Sequence, residues 1–133
     1  MKIVGVIGPY YSGGDKRLID INIANARTVM RVIGEHFNES KLVGFFCPHS
    51  HTSKFERESK ISEEYAKMLD TVIYDKACDG FVVLPNWEKS KGSQRDVELA
   101  RVWKKECFYL VDYNILSMMM LLGELEKWSK DGS

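Results

Sequence analysis

KIVGVIGPYYSGG, residues 2–14, decides the fold of this chain. Its first half, Lys2 to Ile7, is a short unbroken apolar run rich in β-branched residues, the pattern of a strand buried on both faces of a parallel sheet. Its second half places three glycines, two tyrosines and a serine where that strand ends. Leu18, Ile21, Ala24, Val29, Val32 and Ile33 then recur at near-helical spacing until Gly34 weakens the run. Strand, glycine loop and helix make one β-α unit.

The unit repeats along the chain. KLVGFF (41–46), GFVVLP (80–85) and CFYLV (107–111) have the same strand character. Ser62 can cap a second helix with Glu63 and Glu64 in its first turn and Ile61, Tyr65, Met68, Leu69, Val72, Ile73 and Ala77 on one stripe, ending near Asp79. A third helix is expected over about 93–105, with Val97, Ala100 and Trp103. A fourth is expected over about 114–128, with Leu116, Met119, Met120 and Leu125, before a frayed tail at 129–133. The order βαβαβαβα predicts an α/β fold: one domain over 1–128, its parallel sheet covered by helices on both faces through right-handed crossovers. A chain of 133 residues buries roughly two-thirds of its unfolded surface, enough for a core.

Charge and cysteine content narrow the partners. Lys plus Arg and Asp plus Glu are 19 each, an even balance that argues against a nucleic acid polymer and favours a small or singly anionic ligand. Cys47, Cys78 and Cys107 are odd in number and form no CxxC, so reduced, buried thiols in a cytoplasmic protein are expected. The first strand starts at once, without a basic n-region or small-residue cleavage site, so no leader is expected, and no apolar run approaches the roughly 20 residues of a membrane span. No membrane partner is therefore expected.

In an open parallel sheet, ligands bind outside the strand carboxyl ends where the strand order reverses. If the order is 2-1-3-4, the loops GPYYSGG (8–14) and NWEKSKGSQRD (86–96) flank one crevice. Gly13 and Gly14 would let a phosphate or carboxylate approach backbone amides at a helix start, with Ser12 and Ser90 adding hydroxyls; alternatively the glycines only make a tight turn. GxGxxG is absent, and Gly14-Asp15 stands where a Walker loop needs Lys-Ser/Thr, so NAD and nucleoside triphosphates lack support and no cofactor is expected. Tyr10, Tyr11 and Trp87 could stack on a planar base or be core and rim aromatics. Asp96 could face the crevice or serve the helix dipole, while Glu98, about 200° around the helix, cannot share its direction. Cys47, His49 and His51 alternate as a conceivable metal trio, but no fourth ligand stands at motif spacing, so no metal is expected and His49 reads as a ligand contact. The long connection 47–60 lies where lids and binding loops sit.

IGPYYSGG, CDGFVVLPNWEKSKG and the spacing of Ser90, Gly92, Asp96 and Ala100 resemble the nucleoside 2-deoxyribosyltransferase superfamily, which includes deoxynucleoside 5'-monophosphate N-glycosidases. NIANART and CPHSH resemble segments of its small phage-associated and bacterial branch. The resemblance spans most of the chain. It implies a flavodoxin-like, Rossmann-like three-layer sandwich of four to five parallel strands, and cleavage or transfer at the N-glycosidic bond of a nucleoside or nucleotide. It also implies a homodimer or larger homo-oligomer. Asp96 matches the glutamate that attacks the anomeric carbon in these enzymes. Gly8, Tyr10, Ser12, Gly13, Gly14, Ser90, Gly92 and Ser93 belong to the matching loops, and a serine at position 90 accompanies a 5'-phosphate.

A departing base leaves an oxocarbenium-like sugar that a carboxylate stabilises, the role expected of Asp96, with Asp70 as a second acid to protonate the base. Aspartate in place of glutamate withdraws the carboxylate by one methylene, and a displacement of about 1 Å can reduce the rate roughly a hundredfold. A non-catalytic nucleotide binder on the same fold is therefore the alternative.

Overall fold

The computed structural model describes residues 1–51 and 58–131, apart from the side chains at positions 50 and 51. Four parallel strands, β1 (Lys2–Ile7), β2 (Val43–Phe46), β3 (Gly80–Val83) and β4 (Glu106–Tyr109), form one sheet in the order β2-β1-β3-β4. Val4 pairs with Gly80, Lys2 with Val43 and Gly80 with Glu106, so β1 and β3 are the central strands. All of β3 and the last four residues of β1 are buried, as continuous apolar runs in a parallel sheet require.

Side chains alternate across the sheet and divide the interior into two cores. Val4, Val6, Val82 and Leu84 meet α1 (Lys16–Phe37) and α5 (Ile115–Lys130) through Val29, Ile33, Leu121 and Leu125. Ile7, Phe81 and Val83 on the other face meet α3 (Glu63–Ala77) and α4 (Lys91–Val102) through Tyr74, Val97 and Ala100. This is a flavodoxin-like three-layer sandwich. A single-turn helix, α2 (Pro48–His51), follows β2. Among the described residues, no helix is long and apolar enough to cross a membrane.

Side chains fasten the helix ends. Asp15 accepts from the amides of Arg17 and Leu18, Ser62 from Tyr65, Ser90 from Ser93 and Asn114 from Ser117. Lys105 donates to the carbonyls of Tyr74 and Asp75 at the end of α3, and Asp79 brackets the start of β1 by accepting from the Ile3 amide and donating to the Ile3 carbonyl. Asp79 is thus structural and lies at the sheet edge opposite the strand carboxyl ends.

Each of the four expected helices differs from its expected position; α4 starts two residues earlier and ends three residues earlier, at Val102, leaving Trp103 as its C-cap. Helix α1 runs unbroken through Gly34, because the missing Cβ makes room for the Phe45 ring, which would lie 3.2 Å from it. Its buried stripe is Ile19, Ala26, Val29, Met30, Ile33 and Phe37, so Val29 and Ile33 of the expected stripe are buried while Leu18 and Ile21 are exposed. Of the stripe expected for α3, Ile61, Tyr65, Met68, Val72 and Ala77 are exposed and Leu69 and Ile73 are half-buried, and only Tyr74 of the helix is fully buried. On α5, Met118 and Leu121 are buried while Leu116, Met119 and Met120 face outward, and the helix continues to Lys130, two residues past its expected end. Where apolar residues outnumber the positions one helix face can cover, tertiary packing selects among them. Cys47 and Cys78 are buried, Cys107 is half-buried, and all three are free thiols.

Candidate functional site

The strand order reverses between β1 and β3, and the chain leaves their carboxyl ends on opposite sides of the crevice that results. Three left-handed residues in a row, Ser12, Gly13 and Gly14, turn the β1 loop into α1. Asn22 of α1 holds this loop by donating to the Tyr10 carbonyl and to Ser12 Oγ. After β3, Asn86 adopts a left-handed conformation that asparagine tolerates and starts the turn that delivers Ser90 to the head of α4.

A cavity of about 190 Å³ opens between these loops, sized for one small ligand. Gly8, Tyr10 and Tyr11 line it from β1, and Pro48 and His49 from the turn after β2. Ser90, Gly92, Ser93, Arg95 and Asp96 line it from the β3 side. Glu63, Lys67, Asp70 and Tyr74 of α3 close it. Their spacing of four, three and four residues puts them on one helix face, about 200° from the Tyr65, Met68 and Val72 stripe. The polar stripe of α3 therefore faces the cavity and the apolar stripe faces out. Lys67 and Glu63 on that polar stripe form an ion pair at 2.9 Å.

Asp96 lies in the second turn of α4, half-buried in the cavity wall. Burial pushes its carboxyl up to about 6; Arg95 opposes the shift, the Asp70 carboxylate adds to it and Lys67 opposes it. Two carboxylates and two cations thus act on one another at the centre of the site. Tyr74, fully buried beside them, donates its hydroxyl to the Val6 carbonyl at 2.6 Å, and burial, reinforced by the Asp96 charge, raises its pKa well above the usual value. It remains a neutral donor.

His49 is buried with Nε2 2.6 Å from the Pro9 carbonyl, and the Tyr10 ring meets it edge-on at 5.3 Å. Burial lowers its pKa, partly offset by the Pro9 bond. Ser93 is 2% exposed; its amide donates to Ser90 Oγ at 3.2 Å, and its own hydroxyl has no hydrogen-bond partner among the described residues.

The expected site residues divide into two groups. Gly8, Tyr10, His49, Asp70, Ser90, Gly92, Ser93 and Asp96 meet around one cavity. Ser12, Gly13 and Gly14 do not line it: Ser12 Oγ accepts from Asn22, the Gly14 amide donates to the Tyr11 carbonyl, and the Asp15 carboxylate already occupies the first amides of α1. The first turn of α1 is thus capped by the chain's own Asp15 side chain. Trp87 also lies outside the cavity wall, packed on the α3–α4 core with its ring 5.7 Å from that of Tyr109. His51, the third member of the conceivable metal trio, lies outside the described residues as regards its side chain, as do residues 52–57 of the expected lid. Glu63, Lys67 and Arg95 were not anticipated. The signal for the first two is the second, polar stripe of α3, legible at the same helical spacing as the apolar one.

Residues 33–109, more than half of the chain, match the model of a domain family of unknown function (DUF4406). The chain belongs to that family. The DUF4406 segment spans His49, Asp70, Ser90, Ser93 and Asp96, whereas the β1 loop with Tyr10 precedes it. No curated protein matches the chain. No solved structure matches it either.

Proposed function

We propose that this DUF4406 protein cleaves the N-glycosidic bond of a nucleoside 5'-monophosphate, either hydrolysing it or passing the sugar phosphate to a second base. The observation that carries this reading is the Asp96 carboxyl in a small cavity, raised to about 6 by burial and coupled to Asp70. Just below neutral pH such a group is still mostly ionised, yet poorly solvated, and so is suited to stabilising an oxocarbenium-like sugar or forming a glycosyl ester with it. As the C–N bond breaks, its electron pair leaves with the base. The base takes a proton from Asp70 or from water, and water or a second base then attacks the anomeric carbon.

The walls suit the two ends of such a ligand. Ser90, Gly92, Ser93 and Arg95, at the head of α4, offer hydroxyl donors and positive charge for a phosphate. Tyr10, Pro48, His49 and Ile61 offer rings and apolar groups against which a base can lie. The anion end thus lies on the β3 side rather than at Gly13.

A nucleotide sensor is the second reading, favoured by the short reach of aspartate where the resembling enzymes carry glutamate. Incubation with a panel of ribo- and deoxynucleoside 5'-monophosphates, followed by chromatography for free base, separates the two. Release abolished by Asp96→Asn supports the enzyme, and thermal stabilisation by a nucleotide with no release supports the sensor.

A further inference from the structure

The two ring nitrogens of His49 are not equivalent. Nε2 lies 2.6 Å from the carbonyl oxygen of Pro9, which can only accept, so Nε2 carries the proton and donates it. Nδ1 is then a lone-pair acceptor. That atom is buried and has no hydrogen-bond partner among the described residues, in a side chain that is 4% exposed and lines the cavity. The ring is held in this orientation, because turning it would put carbon in place of Nε2 and forfeit the Pro9 bond. Protonating Nδ1 is opposed as well, since burial lowers the pKa of the imidazole.

A fixed, buried acceptor in a ligand cavity is matched by a ligand that brings an N–H or O–H to it. The sheet order decides between them. His49 follows β2, on the side of the cavity built from Tyr10, Pro48 and Ile61. The hydroxyl and guanidinium groups suited to a sugar phosphate follow β3, across the crevice. A base lying on the β2 side of the cavity would be the part of the ligand that meets His49.

We propose that His49 Nδ1 is the specificity acceptor of the site, selecting nucleobases that present an amino or imide N–H and rejecting analogues without that hydrogen. This inference rests on the nucleotide reading above. A site built around such a bond discriminates strongly against a ligand lacking the donor, because the buried acceptor is then left unpaired.

Isothermal titration calorimetry on the full chain tests it with matched pairs: AMP against purine riboside 5'-monophosphate, CMP against the 2-pyrimidinone nucleotide, and UMP against 3-methyl-UMP. For the pair whose natural member binds best, loss of the N–H is expected to weaken binding on the order of 10- to 100-fold. In His49→Gln, whose amide can still reach the Pro9 carbonyl, the two members should bind within a few-fold of each other. Equal binding of both members by the unaltered protein overturns the inference while leaving the proposed function intact, and it needs no variant to fold. Discrimination that survives in His49→Gln also overturns it, as does discrimination that follows removal of a sugar hydroxyl instead. Absence of both nucleotide binding and base release removes the proposed function itself, and this inference with it.

Discussion

Tyr74 reaches over Gly5 to donate its hydroxyl to the Val6 carbonyl, joining α3 to the central strand within electrostatic reach of Asp70 and Asp96. A Cβ on Gly5 would stand 2.8 Å from the Tyr74 ring and 2.9 Å from that of Phe81, closer than packed atoms approach. Glycine at position 5 is thus a condition for the tyrosine that supports the site.

Gly5→Ala is accordingly expected to destabilise the fold by about 1–3 kcal/mol through overpacking. Urea denaturation read by circular dichroism measures it. A change below about 0.5 kcal/mol would mean that the Tyr74 ring is not seated as described.

Asp96 gives stability a pH dependence of unusual sign. Its carboxyl titrates near 6 in the fold and near the ordinary aspartate value when unfolded, so between about pH 4 and 6 the folded state binds more protons. Its contribution is greatest below the unfolded pKa and is lost as pH rises through about 6. A shift of roughly 2 units corresponds to at most about 3 kcal/mol, reduced by the partial exposure of the side chain. Thermal melts from pH 4 to 8 should show Asp96→Asn more stable than the parent at pH 8, with the difference shrinking towards pH 4. Parallel curves for the two proteins would contradict the burial of this carboxyl.

The same titration sets a rate profile. If ionised Asp96 meets the sugar, base release should climb through about pH 6 and level off above it. Release that falls across that interval would assign Asp96 the role of proton donor instead.

Ser93→Ala removes a buried hydroxyl that has no partner among the described residues, so the fold should be unharmed or slightly stabilised. Affinity for a nucleoside 5'-monophosphate should nevertheless fall about tenfold, with little change for the corresponding nucleoside. Equal losses for both ligands would place the phosphate elsewhere.

The three consecutive methionines of α5 offer a test of the helix faces. Met118 is buried, whereas Met119 and Met120 are 64% and 61% exposed. Met118→Ala should lose about 2–5 kcal/mol of stability, and Met119→Ala or Met120→Ala should stay within about 0.5 kcal/mol. The reverse ranking in denaturant titrations would show a rotated helix.

What could be read along the chain were the properties that depend on neighbours in sequence. Four β-branched apolar runs alternating with helical stretches imply a parallel sheet, because each element's period reports how it is buried. The capping role of Ser62, and the meeting of the β1 and β3 loops, follow from local hydrogen bonding and from the connectivity of such sheets. The face each helix presents is different in kind. A triple methionine, or a helix with one polar and one apolar stripe at the same spacing, satisfies two orientations equally until the rest of the protein covers one of them. Only the folded chain turned the Glu63–Lys67–Asp70–Tyr74 stripe of α3 to the cavity, capped α1 with Asp15, and left Nδ1 of His49 as a buried acceptor. Each of these depends on atoms far apart in sequence competing for the same space or the same proton, and that competition is decided in three dimensions.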